Sequence, residues 1–163
     1  MWGWTFVIVR DATSPDVYSV VAFLTLRFAI ASVALIFFFR RINSRTLVAG
    51  LCFGAIVSIG YLCQTFGLRY TTATNSGLIT GLFVIFVPIT DFLLFKKRPP
   101  RTFLLVVCVS FVGITFLSGG NLDGFSFGDL LTLLCAVAFG IDISLLSRYS
   151  KNHDPGALML VQM

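Results

Sequence analysis

TLVAGLCFGAIVSIGYLCQTFGL, residues 46–68, runs for 23 residues without a charge. As an α-helix it is about 34 Å long, enough to cross the roughly 30 Å hydrocarbon layer of a bilayer. The next run, TATNSGLITGLFVIFVPITDFLLF at 72–95, carries Asp91 alone. Outward from this pair lie three more apolar runs. Val17–Phe39 contains Arg27, Thr102–Ser118 is uncharged, and Phe127–Leu146 contains Asp129 and Asp142. Barrel strands are about 10 residues long and alternate in polarity. These runs do neither, so the expected fold is an all-α integral membrane protein with five spanning helices. Two apolar stubs, Met1–Val9 and Gly156–Met163, are too short to span and look like helices interrupted by the chain ends.

Composition agrees. Of 163 residues, 57% are hydrophobic and 12% charged, with 18 Phe and no Glu. A soluble domain carries about twice that charge, and a disordered chain has the opposite balance. The net charge of +5 falls in short tracts between the runs, with no basic face interleaved with aromatics, so nucleic acid is not an expected partner. Arg40–Arg45, Lys96–Arg101 and the tract after Leu146 hold nine Lys and Arg; the alternate loops hold Arg10 and Arg69. This alternation sets the three tracts on the cytoplasmic side.

Polar residues within the runs are the candidates for function, because they are costly in lipid and face protein or water. Gly50, Gly54, Val57, Tyr61 and Gln64 share one helical face. Gly50 with Gly54, and Gly77 with Gly81, are small-xxx-small pairs that permit close helix approach. Thr72, Ser76 and Thr80 make a hydroxyl stripe, and Pro88 permits a kink. Asp91 is expected at the interface near Lys96 and Lys97. Arg27 is expected to reach outward to Asp11, Asp16 or headgroups. Asp142, deep in its run, is expected to face a cavity, a cation or a proton; Cys135 shares its face. The four Cys read as packing residues, His153 as a solvated loop residue. No nucleophile–base set, phosphate loop or metal-ligand cluster is present, so neither catalysis, metal nor cofactor is expected.

GYLCQTFGLRYTTATNSGLITGLFVIFVP at Gly60–Pro88 resembles the third-to-fourth helix signature of EamA-like proteins of the drug/metabolite transporter superfamily. WGWTFVI at Trp2–Ile8, LRFAIA at Leu26–Ala31, GITFLS at Gly113–Ser118 and GDLLTLLCAVAFG at Gly128–Gly140 extend the resemblance over nearly the whole chain. Lys97 stands where the family often has Glu, and Val106 where Gly is common. The resemblance implies one half of a ten-helix, inverted-repeat transporter plus the start of the other. Residues 1–118 would form a first repeat with a truncated first helix, and 127–163 the start of a second. It also implies a central cavity lined by the first, third, fourth and sixth helices, taking a small metabolite or drug-like solute across the cytoplasmic membrane. Trp4 and Tyr61 would supply aromatic walls; Gln64, Asn75 and Thr80 would orient polar groups; Asp142 would exchange a proton or hold a cationic solute. A non-transporting membrane subunit, a truncated gene product and a small homo-oligomeric exporter are the alternatives.

Overall fold

A computed structural model describes residues 7–9, 11, 20–99, 102–117, 126–151 and 153–163. Its described elements are helical: α1 (Val20–Ala34), a 3-10 helix (Ile36–Arg41), α2 (Ser44–Gly67), α3 (Ala73–Gly81), α4 (Phe83–Phe95), α5 (Phe103–Leu117), α6 (Phe127–Tyr149) and α7 (Pro155–Gln162). Three stretches are long and apolar enough to span by length and composition: Ser44–Gly67, Ala73–Phe95 and Phe127–Tyr149.

The other two expected spans are shorter as α-helix. Both α1 and α5 have 15 residues, about 22 Å. Along the first run, the 3-10 helix that follows α1 adds about 12 Å at its 2.0 Å rise, so the helical length there is divided between two helix types. The run at 72–95 is one span broken at Leu82, whose N–H bonds to the carbonyls of Ile79 and Thr80. The break lies six residues before Pro88, which sits inside α4.

Helix starts follow the local chemistry. Asn43, Thr72, Ser126 and Asp154 cap α2, α3, α6 and α7, each accepting from a backbone N–H two or three residues on. Ser126 and Asp129 complete a reciprocal capping box.

The packing is inverted relative to a soluble protein. Buried positions include Thr46, Thr65, Ser76, Thr80, Thr132 and Ser144, whereas Phe37, Leu93, Val33 and Ile30 are exposed. Lipid can cover the exposed apolar side chains, so the interior is free to use small and hydroxylated residues that let backbones approach.

Side-chain pairings define the register. Phe53 meets Tyr149, Tyr61 meets Phe139, and Gly67 faces Gly128, so α2 and α6 are antiparallel. Ser76 meets Thr132, Phe86 faces Gly140, and Asp91 meets Ser144, so the broken span α3–α4 runs parallel to α6. Thr46 lies 3.0 Å from His153, and Gly50 and Gly54 face Val161 and Gln162, so α7 runs alongside the first half of α2. Consequently the start of α2, the end of α4 and the end of α6 share one end of the bundle. The described residues of the three basic tracts, Arg40, Arg45, Lys96, Lys97, Arg98, Arg148 and Lys151, gather there in keeping with the charge alternation, and Arg69 lies at the other end.

Candidate functional site

Helix α6 is the shared wall, packed against α2, α3 and α4. Glycine makes those contacts possible. A Cβ on Gly60 would sit 2.9 Å from the Phe139 ring, and one on Gly140 would sit 2.5 Å from Phe86 Cβ. Gly50 and Gly54 do for α7 what these do for α6: added Cβ atoms would lie 2.6 Å from Val161 and 2.8 Å from the Gln162 carbonyl. Gly81 behaves otherwise, since a Cβ there meets no described atom within 4 Å. Its half of the expected Gly77–Gly81 seam therefore has no close-packed partner among the described residues.

Tyr61 is the best-furnished candidate. Its ring meets Phe28 edge-on at 5.3 Å and Phe139 edge-on at 5.1 Å. The Arg27 guanidinium lies 4.6 Å from the ring centroid, and its Nη2 donates to the Tyr61 hydroxyl at 3.5 Å. This corrects the outward reading of Arg27. A half-buried cation beside a π face gains on the order of 1 kcal/mol, which favours the inward rotamer.

One turn further along α2, Gln64 Nε2 donates to Thr80 Oγ1 at 3.2 Å. Two sequence candidates thus meet directly across α2 and α3. Ser76, one turn before Thr80, meets Thr132 Oγ1 at 3.4 Å; Thr132 already donates to the Gly128 carbonyl at 2.8 Å, so Ser76 is the donor. The stripe Thr72, Ser76, Thr80 therefore serves in turn as helix cap, contact to α6 and contact to α2.

Asp142 lies one turn beyond Phe139 on α6 and is buried. Its partner is an amide rather than a cation: Gln162 Nε2 reaches Oδ1 at 3.0 Å and Oδ2 at 3.1 Å. Gln162 is itself buried, with its backbone against Gly54. It is the residue sequence reasoning missed. An amide in the apolar stub GALMLVQM was the available signal, because a polar group at membrane depth needs a partner. Cys135 on the same α6 face is fully buried as a free thiol.

Asp91 lies near Lys97, as expected: Lys97 Nζ is 3.7 Å from Oδ2, and Ser144 Oγ donates to Oδ1. Asn75 sits apart from the other candidates, half-buried in the first turn of α3, where its backbone N–H donates to Thr72 Oγ1 at 3.1 Å. Trp4 lies outside the described residues. His153 is held by Thr46 and stacked on Tyr149 at 6.3 Å, half-buried rather than solvated. Among the described residues, no buried side-chain nitrogen or oxygen lacks a partner.

Chemically, the arrangement is a polar interior on a lipid-facing scaffold. It offers an aromatic–cation wall at Tyr61, an amide–hydroxyl pair at Gln64 and Thr80, and, at Asp142, a carboxylate with no cation beside it among the described residues.

The family model for the EamA-like transporter family matches residues 1–119. An uncharacterized transporter of Archaeoglobus fulgidus is 40% identical over 162 residues, which is 99% of this chain and 50% of that protein. A second uncharacterized transporter of the same organism is 29% identical over 103 residues, 60% of this chain and 35% of that protein. The chain spans about half the length of the first of these relatives and about a third of the second. No solved structure matches.

Proposed function

Because the chain belongs to the EamA-like transporter family, we propose that it supplies the first repeat, residues 1–118, and the opening of the second, 127–163, of a secondary carrier. The carrier moves a small metabolite or drug-like solute across the cytoplasmic membrane. The observation that carries this reading is the Gln64–Thr80 bond across α2 and α3, with Tyr61 and Asp142 each partnered inside the same bundle, whose exposed side chains are largely apolar. Inverted repeats bound a substrate site near the bilayer midplane. The antiparallel pairing of α2 and α6 supports this, because it joins the two proposed repeats along one seam.

In this reading Tyr61, together with Trp4, walls the path, and Gln64, Asn75 and Thr80 offer donors and acceptors to the solute. A solute group that engages Gln64 must displace or share its bond to Thr80, so binding exchanges one satisfied arrangement for another. Asp142 takes up a proton or a cationic group, since a buried carboxylate held, among the described residues, by an amide alone has room for a positive partner. Transport by the full-length Asp142→Asn protein, followed across pH, tests the assignment. A lowered rate with a flattened pH profile is expected. Unchanged rates and an unchanged profile would remove Asp142 from the mechanism.

A further inference from the structure

A cleft of about 570 Å³ opens at the basic end of the bundle, between the start of α2 and the end of α6. It contains none of the residues assigned to the solute path. Arg45, Val48, Ala49 and Cys52 follow one another at helical spacing along it, so it extends along the α2 axis for about 10 Å. Polarity changes along that length. Arg45 and His153 stand at the mouth; Val48, Ala49 and Cys52 form the wall. Phe53 closes the back, its ring edge-on to Tyr149 at 5.4 Å.

Among the described residues, no carboxylate lines this cleft. Arg45 is exposed and has no ion-pair partner among the described residues. Asp154, the carboxylate next to His153 in sequence, accepts from the backbone of Gly156 and Ala157 instead. The mouth is built rather than loose: Thr46 Oγ1 donates to Asn43 Oδ1 at 2.9 Å and holds His153 Nδ1 at 3.0 Å.

We infer that this cleft binds an anionic phospholipid of the leaflet on the basic side. The lipid phosphate pairs with Arg45, and one acyl chain lies along Val48, Ala49 and Cys52. Two features select this occupant. A free phosphate would satisfy Arg45 and leave the apolar wall bare. A zwitterionic lipid would cover the wall but bring a second cation beside the guanidinium, so its phosphate offers less net attraction than an acidic headgroup does. The direction also fits, because the charge sits at the helix start and the apolar wall runs inward from it, as headgroup and acyl chain do. Basic pockets beside spanning helices on the cytoplasmic side are sites where acidic headgroups collect.

The test uses the full chain in bilayer discs of equal phosphatidylglycerol and phosphatidylcholine, transferred to mild detergent, with retained lipid counted by native mass spectrometry. Wild type should retain phosphatidylglycerol over phosphatidylcholine by roughly five-fold, the effect of one basic residue near an acidic headgroup. Arg45→Gln should bring the ratio near unity. Val48→Trp, which fills the wall without touching charge, should lower retention of both lipids. Arg98→Gln, an exposed charge outside the cleft, should change nothing. Helical content by circular dichroism confirms that each variant is folded. Equal retention of the two lipids by wild type would give the cleft to a protein segment or to no occupant, and overturn the inference. Equal losses in Arg45→Gln and Arg98→Gln would also overturn it, since the preference would then belong to the basic end as a whole.

Discussion

Gly128 and Gly113 both lie in apolar helices, yet a Cβ at the two positions would meet opposite surroundings. At Gly128 it would come within 2.5 Å of the Gly67 carbonyl oxygen and 2.7 Å of the Tyr70 backbone; at Gly113 it would meet no described atom within 4 Å. The first glycine lies where α6 crosses the end of α2. The second lies on α5, whose main neighbour is α4. The centre of the bundle is held by backbones in contact, and the rim by apolar side chains that lipid covers. Without a hydrophobic driving force between helices in lipid, this close approach is where cohesion comes from.

The largest expected effect follows at once. Gly128→Ala forces a methyl into two backbones that cannot rotate away, so it should destabilise the folded state by about 3 kcal/mol. Gly140→Ala, against Phe86, should approach the same value. Gly113→Ala should be neutral or stabilising by about 0.5 kcal/mol, because it only trades glycine entropy for a better helix former. Denaturation titrations in mixed micelles, followed by circular dichroism, compare the three directly. Similar losses at Gly128 and Gly113 would break the distinction between centre and rim.

The next effect compares two carboxylates on parallel helices. Asp129 accepts from Thr71 Oγ1 at 2.5 Å and from the Ser126 backbone at 3.0 Å, and it is buried. Asp91 pairs with a largely exposed Lys97. Asp129→Ala should cost about 2 kcal/mol, through loss of the capping box and of the acceptor for three donors, Thr71 Oγ1 and the backbone and hydroxyl of Ser126. Lys97→Ala should cost under about 0.5 kcal/mol, because an ion pair at the surface contributes little. The same titrations check both, and equal losses would mean that burial is not what separates them.

Which parts of this were legible beforehand follows from the solvent. Lipid demands continuous apolar runs, so 46–68 and 72–95 show themselves, and the charge alternation orders their ends. The same demand hides the inner face. A helix that is apolar all round has little amphipathic signal, so its rotation about its own axis is not written in its sequence. Arg27 was therefore placeable in depth but not in direction, and it turned inward to Tyr61. Gly50–Gly54 and Gly77–Gly81 carry the same spacing, yet Gly54 meets a neighbouring helix closely and Gly81 does not; the pattern permits close approach without naming a partner. Within the site, Tyr61, Gln64 and Thr80 announced themselves as costly polar groups on shared faces. The Asp142–Gln162 bond joins positions twenty apart on separate helices, and it depends on how α7 seats against Gly54. Neither residue's own run carries that information.

A smaller effect tests whether the amide–hydroxyl pair in the centre is structural glue. Gln64→Leu and Thr80→Val, alone and combined, should show a coupling of about 0.6 kcal/mol, typical of hydrogen bonds between spanning helices. If the proposed solute path is right, the same single variants in the full-length protein should change solute affinity far more than stability. A coupling of several kcal/mol with unaltered transport would make the pair a fastening rather than part of a path.

The smallest effect belongs to the rim. Lys96 ends α4 with φ 53° and ψ 24°, the left-handed cap in which its N–H reaches the Phe92 carbonyl at 2.9 Å. A side chain in that region costs roughly 1–2 kcal/mol, and glycine avoids the cost while gaining freedom in the unfolded chain. The two terms oppose, so Lys96→Gly should stabilise by about 0.5 kcal/mol. Lys96→Ala keeps the Cβ and should gain nothing. The pair of variants isolates backbone conformation from lost charge, since both remove the ammonium. A gain in both would assign the effect to charge crowding with Lys97 and Arg98, and would show that the basic end, unlike the glycine-lined centre, is governed by electrostatics rather than by backbone fit.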